Sequence, residues 1–272
     1  MMTRPSRFVL FASSLLLAGW AVTPAATAAA AAPAATDRAQ AESQKLNAIF
    51  DEYFEEYLQQ NPILATSIGD PRYNDRFVVG ISPAAIAAEE KLQRDYLARL
   101  LTVHRAALPA ADQLSYDIFR TGREREIEGF EFPDELIPLN QFYSTPNSFA
   151  QLGSGNGMQP FKTVQDYDNF LKRLDGFVAW TDQAIVNMRQ GVQRGYTLPK
   201  VLAERTLPQL EAHIVARPVD SLYWRPIAKM PAEFSAAERE RLTNAYRAAI
   251  ETKVVPAYRR LRDYMRDEYL PK

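Results

Sequence analysis

Residues 163–195, TVQDYDNFLKRLDGFVAWTDQAIVNMRQGVQRG, carry the pattern that decides the fold class. The Thr163 hydroxyl can cap the amides that follow, with Asp166 at the third helical position. Val164, Tyr167, Phe170, Leu171 and Leu174 then recur at the three- and four-residue spacing of a buried helical stripe. A further helix is predicted over 178–188, ending at Gly191 or Gly195. Toward the C-terminus, 199–215 reads as helical and kinked or interrupted at Pro208, because proline removes a backbone donor. Ser235-Ala-Ala-Glu238 is a second capping box; it opens a long helix through Leu242, Tyr246, Ile250, Val254, Leu261 and Met265, with a bend at Pro256.

The N-terminal side repeats the helical pattern. Leu46, Ile49, Phe50, Tyr53, Phe54, Tyr57 and Leu58 form one apolar face, and Asp51, Glu52, Glu55 and Glu56 fill much of the other. Pro62 opens a short helix through Ile68, and Gly69 is free to take the positive φ of its cap. Ser82-Pro83 starts a long helix that carries Ile86, Leu92, Tyr96, Leu100, Leu101 and Val103. A partner over 111–128, with Leu114, Ile118, Phe119 and Ile127, completes an antiparallel hairpin. No run of period-two strands appears, although 77–81 and 136–139 could pair as one minor β-ribbon. The expected fold is all-α: an irregular multi-helix domain over 36–272, interrupted at 130–160 by a long Gly/Pro-rich loop of the kind that often carries function.

The 272 residues are 47% hydrophobic and 24% charged, which is ordinary globular composition. Residues 1–35 read as a secretory signal and Ala-rich cleavage region: Arg4 and Arg7 precede an apolar run over 8–22, and small residues follow. Loss of the two arginines takes the formal charge from -1 to -1 - 2 = -3. With 32 Lys+Arg interspersed among 33 Asp+Glu, no basic face points to nucleic acid or, once the signal is removed, to a membrane. No cysteine is present, so no disulfide staples an exported chain.

Five stretches stand in order along the chain: Asn61-Pro62-Ile-Leu-Ala65-Thr66-Ser-Ile-Gly69-Asp70, the Pro138-Leu-Asn140-Gln141 turn, Gly153-Ser-Gly-Asn-Gly157, Thr163-Val-Gln-Asp166-Tyr167 and Gly195-Tyr-Thr-Leu-Pro199. In these the chain resembles the N-terminal half of the bacterial domain-of-unknown-function 885 family. The resemblance implies a helical zincin-type metallopeptidase about twice this long, with a His-Glu and Pro-Gly-His stretch in its second half to hold zinc. That stretch has no counterpart here. With 2 histidines and no His-Glu-x-x-His helix, no catalytic or metal residue is assigned to this chain, and zinc is expected only in full-length relatives. Two readings of the difference stay open: a gene fragment or stopped frame, and a short relative that kept the helical half for binding.

His104 and His213 lack a second histidine at ligand spacing and read as structural or solvated. The carboxylates at 51–56, and Glu124, Glu126 and Glu128 alternating with Arg123 and Arg125, read as surface charge. Ser154, Gly155 and Asn156 lie in a Gly-rich loop without the Gly-x-Ser-x-Gly order of a hydrolase elbow or the Lys-Ser/Thr of a phosphate loop. Such a loop is tightly turned or presents amides to an extended peptide. Asn140, Gln141, Tyr143, Asn147, Tyr196 and Lys200 join it as candidate substrate-binding residues. The expected function is the helical portion of an exported metallopeptidase-like protein, inactive alone and partnered by a catalytic half or a peptide. The alternative is a non-enzymatic periplasmic binding module.

Overall fold

The computed structural model describes residues 31–272, with side chains from residue 35 onward; the first thirty residues of the expected signal region lie outside the described residues. The helices are α1 (Ala31–Gln60), α2 (Pro62–Ser67), α3 (Pro83–Leu100), α4 (Ala110–Gly129), α5 (Thr145–Leu152), α6 (Val164–Arg194), α7 (Lys200–Glu211), α8 (Arg225–Ala228), α9 (Ala236–Ala249) and α10 (Val255–Tyr264). The fold is all-α, with no strand among the described residues. No described helix is long and apolar enough to cross a membrane.

Two main cores, with a small third cluster of Leu58, Ala65 and Tyr73, divide these helices. In the smaller, α1, α3 and α4 enclose Leu46, Tyr53, Leu92, Tyr96 and Leu100. The predicted hairpin forms: Arg105 after α3 pairs with Asp117 early in α4, while Ile86 and Phe130, from opposite ends of the two helices, line one groove. The acidic face of α1 is tied down, through Glu52 to Arg99, Glu55 to Arg72 and Glu56 to the Tyr96 hydroxyl. The larger core packs Phe149, Phe170, Phe177, Tyr223, Tyr258 and Leu261 around α6.

The capping box at Thr163 is formed, and from there α6 runs unbroken to Arg194 instead of splitting into two helices. It stops at Gly195, at φ 78°, where the Tyr196 amide donates to Gly191 O and the Gly195 amide to Val192 O, a Schellman cap. Gly176 and Gly191 within the helix are places of close approach. A Cβ on Gly176 would lie 2.7 Å from both Phe77 Cβ and Phe77 O, and one on Gly191 2.9 Å from Leu136 O. These contacts explain why the expected ribbon is absent. Residues 77–81 and 136–139 dock on α6 separately, the first held also by Asn187 Nδ2 donating to Ile81 O at 2.8 Å.

A single buried cation fastens the N-terminal elements to α6. Arg173, 0% exposed, donates to Pro62 O (3.2 Å), Thr66 Oγ1 (2.5 Å), Tyr73 O (3.0 Å), Arg76 O (3.0 Å) and Gln159 Oε1. All five acceptors are neutral, and burial lowers the guanidinium pKa to about 10, so the charge persists at neutral pH. Only a planar fork with five N–H groups can reach so many oxygens at once.

The helix opened by the Ser235 capping box continues without a break past Pro256. Proline would clash with the carbonyl four residues back; the chain adapts by a π-turn at Ile250–Val254, and a second π-turn follows at Met265–Tyr269. This composite helix runs parallel to α6, as four ion pairs show: Asp168–Arg241, Asp175–Lys253, Asp182–Arg260 and Arg189–Glu268. The α6 members recur every seventh residue, while the partner separations are 73, 78, 78 and 79. The extra residue at the last rung is the one that the second π-turn inserts. Pro208 likewise stays inside α7.

Two predictions separate these contributions. Arg173→Leu removes the donor shared by five buried oxygens, leaves Arg76 O and Gln159 Oε1 without it while Pro62 O, Tyr73 O and Thr66 Oγ1 keep another partner, and is expected to cost about 3–5 kcal/mol, read from urea unfolding, whereas Arg260→Ala on the exposed ladder should cost under about 1 kcal/mol. Equal effects would remove the clamp from its assigned role. His213, whose ring is tilted 37° against that of Tyr258 at 4.5 Å, is pushed by burial down to about pKa 4 from 6.5. The unfolded chain therefore binds this proton at higher pH than the folded one, and the stability present above pH 6.5 is lost as pH falls toward 4, by about 2 kcal/mol at pH 5. His213→Phe should remove that component; unfolding midpoints at pH 7.5 and pH 5 in both proteins check it.

Candidate functional site

The irregular segment before α5 is organised by Asn140, whose Oδ1 accepts from the Phe142 and Tyr143 amides at 2.8 and 2.6 Å. This Asx-type turn projects both rings outward, leaving Tyr143 86% exposed. The turn is braced from α7: Gln209 Nε2 donates to Gln141 O at 3.0 Å, and Asn147 Nδ2 to Gln209 Oε1 at 2.6 Å. α5 then starts at Ser144-Thr145-Pro146, with proline in its first turn and no side-chain cap from Ser144.

At its C-terminal end, α5 meets the Gly-rich loop, which is tightly turned. Gly153 lies beneath the Phe170 ring, where an added Cβ would come within 2.3 Å of Phe170 Cζ. Ser154 is buried; its hydroxyl donates to Gln151 O at 2.7 Å and accepts from the Asn156 amide at 3.2 Å. Gly155 takes φ 77°, and the chain doubles back so that Gly157 packs over the Gln151 carbonyl. Gln159 then enters the interior, where Arg173 holds it.

Between this loop, α5 and the strap of residues 77–81 lies a groove of about 730 Å3. Phe77, Phe149 and Trp180 contribute aromatic surface, with Phe77 edge-on to Phe149 at 5.2 Å. Phe149 in turn stacks on Phe177 at 4.4 Å, so these rings are fixed by the core beneath them. Tyr143, Val78 and the half-exposed Met158 stand at its accessible edge. Hydroxyls come from Ser144, Thr145 and Ser148, and no charged side chain of the described residues lines the space.

The expected site residues are dispersed by this arrangement. Tyr143 lines the groove, while Asn140 and Gln141 act on the turn that carries it. Ser154, Gly155 and Asn156 shape the loop, and it is the following Gly157 and Met158 that reach the groove. Tyr196 lies elsewhere, in a groove of about 630 Å3 with Glu89, Glu126 and Arg194. There burial, and secondarily Glu126, raises the Glu89 pKa. Lys200 is an exposed residue at the start of α7. Sequence reasoning passed over Phe77, Val78, Ile81 and Trp180. The one signal for the first three was the run of apolar residues at 77–81, read as a possible ribbon strand.

The described residues contain no group of three or more His, Cys, Asp or Glu side chains placed to hold a metal ion. The arrangement can therefore exclude water, accept apolar side chains and offer uncharged hydrogen-bonding groups.

No curated protein matches the chain. Residues 62–272 match the family described as "Bacterial protein of unknown function (DUF885)", a stretch that includes the strap, α5, the Gly-rich loop and Arg173. By that match, which spans most of its length, the chain belongs to this family.

Proposed function

We propose that this chain is the peptide-binding helical portion of an exported, metallopeptidase-like protein, and that the neutral groove forms one wall of its substrate cleft. The observation that carries the reading is the groove itself: preformed, floored by aromatic rings, edged by hydroxyls and free of charged lining. Those are the attributes of a site for an apolar segment with a few orienting polar contacts. Zinc ligands and a general base would come from a catalytic segment outside this chain. The charged start and apolar run of residues 1–22 support export.

A non-enzymatic periplasmic binding module would use the same groove. The two readings differ in what covers the exposed rings of Phe132, Phe142 and Tyr143. Aromatic side chains left open to water are what removal of a packed neighbouring domain leaves behind, which favours the first reading.

An N-acetylated, C-amidated Ala-Leu-Phe-Ala peptide should bind saturably in isothermal titration calorimetry, and replacing its Phe by Asp should abolish the heat. Tyr143→Ala is expected to weaken binding by roughly fivefold, the order of one lost aromatic contact. Val78→Asp, which sets a charge at the neutral edge, should weaken it more than tenfold. Absence of saturable binding would remove the groove from the reading. The purified chain should hold no stoichiometric zinc and hydrolyse none of these peptides; stoichiometric zinc with chelator-sensitive hydrolysis would contradict the assignment of catalysis to another segment.

A further inference from the structure

We infer that the groove reads a peptide's C-terminus: the terminal carboxylate sits at the N-terminal end of α5, and the last, apolar side chain lies over Phe77, Phe149 and Trp180. The inference rests on the peptide-binding reading above and adds the orientation and the chemical class of the ligand.

Three observations meet at this end of the groove. The first is the helix start itself. α5 begins at Thr145, and its first-turn amides, those of Thr145 and Asn147, have no intrahelical acceptor. Pro146 between them has no N–H, and the Ser148 amide is already committed to Ser144 O.

The second is Ser144. It is only 5% exposed, yet its hydroxyl makes no cap hydrogen bond, and it lines the groove together with Thr145 and Ser148. A serine at the N-cap position ordinarily satisfies the amide two or three residues on. Here the buried Ser144 hydroxyl and the open Thr145 amide belong to residues that line the same end of the groove, where one acceptor can meet both.

The third is charge. The described lining holds neither a carboxylate to repel an anion nor a basic side chain to form an ion pair. The positive end of the α5 dipole is therefore the electrostatic feature a ligand meets there. An uncharged apolar slot ending in unpartnered amides and hydroxyls is the arrangement by which carboxylate ends of peptides are captured without a basic residue. An internal peptide segment would present only carbonyl oxygens there and would gain less from the dipole.

The decisive experiment compares N-acetylated Ala-Ala-Leu-Phe as free acid and as C-terminal amide, by calorimetry on the full chain at neutral pH, with decanoate as a non-peptide carboxylate. The acid should bind about tenfold more tightly than the amide. Ser148→Asp places a negative charge in the first turn of α5, where the helix itself tolerates it well. This variant should weaken the acid at least tenfold more than it weakens the amide. Equal affinities for acid and amide, or an equal loss of both in Ser148→Asp, would overturn the carboxylate assignment while leaving the groove as a peptide site. Binding of neither peptide would overturn both, and binding of decanoate alone would replace the peptide by a fatty-acid-like ligand.

Discussion

The buried guanidinium of Arg173 is the constraint on which the rest of the arrangement depends. A cation removed from water without a carboxylate partner is tolerated only when many dipoles point at it. Here the carbonyls of Pro62, Tyr73 and Arg76, the Thr66 hydroxyl and the Gln159 amide supply them. The positions of these acceptors matter more than their number. Arg76 is the residue before the strap, and Gln159 is the residue after Met158, so one side chain sets the distance between two walls of the groove. The N-terminal elements and the Gly-rich loop are thereby registered against the same turn of α6, and any peptide enters a space whose width is fixed before it arrives. Preorganisation of this kind lowers the cost of ordering on binding.

A second layer of registration comes from the parallel run of α6 and the composite helix from α9 onward. The exposed ion pairs between them contribute little stability individually, but from Asp175–Lys253 onward their separations of 78, 78 and 79 show the two helices staying in step. The π-turns are what keep them so. At Ile250–Val254 the widened turn accommodates Pro256, and at Met265–Tyr269 the added residue restores the alignment of Glu268 with Arg189. Tyr258, between the π-turns, reaches Pro146 O at 2.6 Å and Tyr223 Oη at 2.9 Å, and so joins this helix to the start of α5. The groove thus has its loop wall set from α6 and its helix wall set from α10.

Most of the helical content was legible because its signals are local. The capping boxes at Thr163 and Ser235, Ser82 as N-cap, and Pro62 with Gly69 at φ 87° all do what their sequence implies. What was not legible depends on contacts distant in sequence. Gly176 and Gly191 look like helix breakers until Phe77 and Leu136 are seen to need the space a side chain would fill. The strap reads as a weak strand because its partner, the face of α6, is a hundred residues away. Arg173 left a faint mark: a charged residue set among Phe170, Leu174 and Phe177 in the buried stripe of α6. Of the candidate site, the irregular segment and Tyr143 could be singled out from composition, whereas Phe77 and Trp180 could not, since aromatic residues at such positions usually mean core alone.

The carboxylates bear on what this chain can contribute to chemistry. A general acid or base working near neutral pH needs a pKa raised from the ordinary carboxylate range by burial or by a like charge. Among the described residues, the shifted carboxylates Asp70, Asp117, Asp220 and Asp267 are instead lowered by arginines that donate to them, Glu268 is lowered by Arg189, and Glu238 by its capping box. These groups are held ionised at the surface, the wrong state for donating a proton. Glu89 alone is shifted upward, and it faces the groove of Tyr196 and Glu126, not the neutral one. Among the described residues, no carboxylate lines the neutral groove. In the proposed role the neutral groove holds a peptide, and a reaction on it would draw its acid, base or metal from residues brought to the open side, where Tyr143 and Met158 stand exposed.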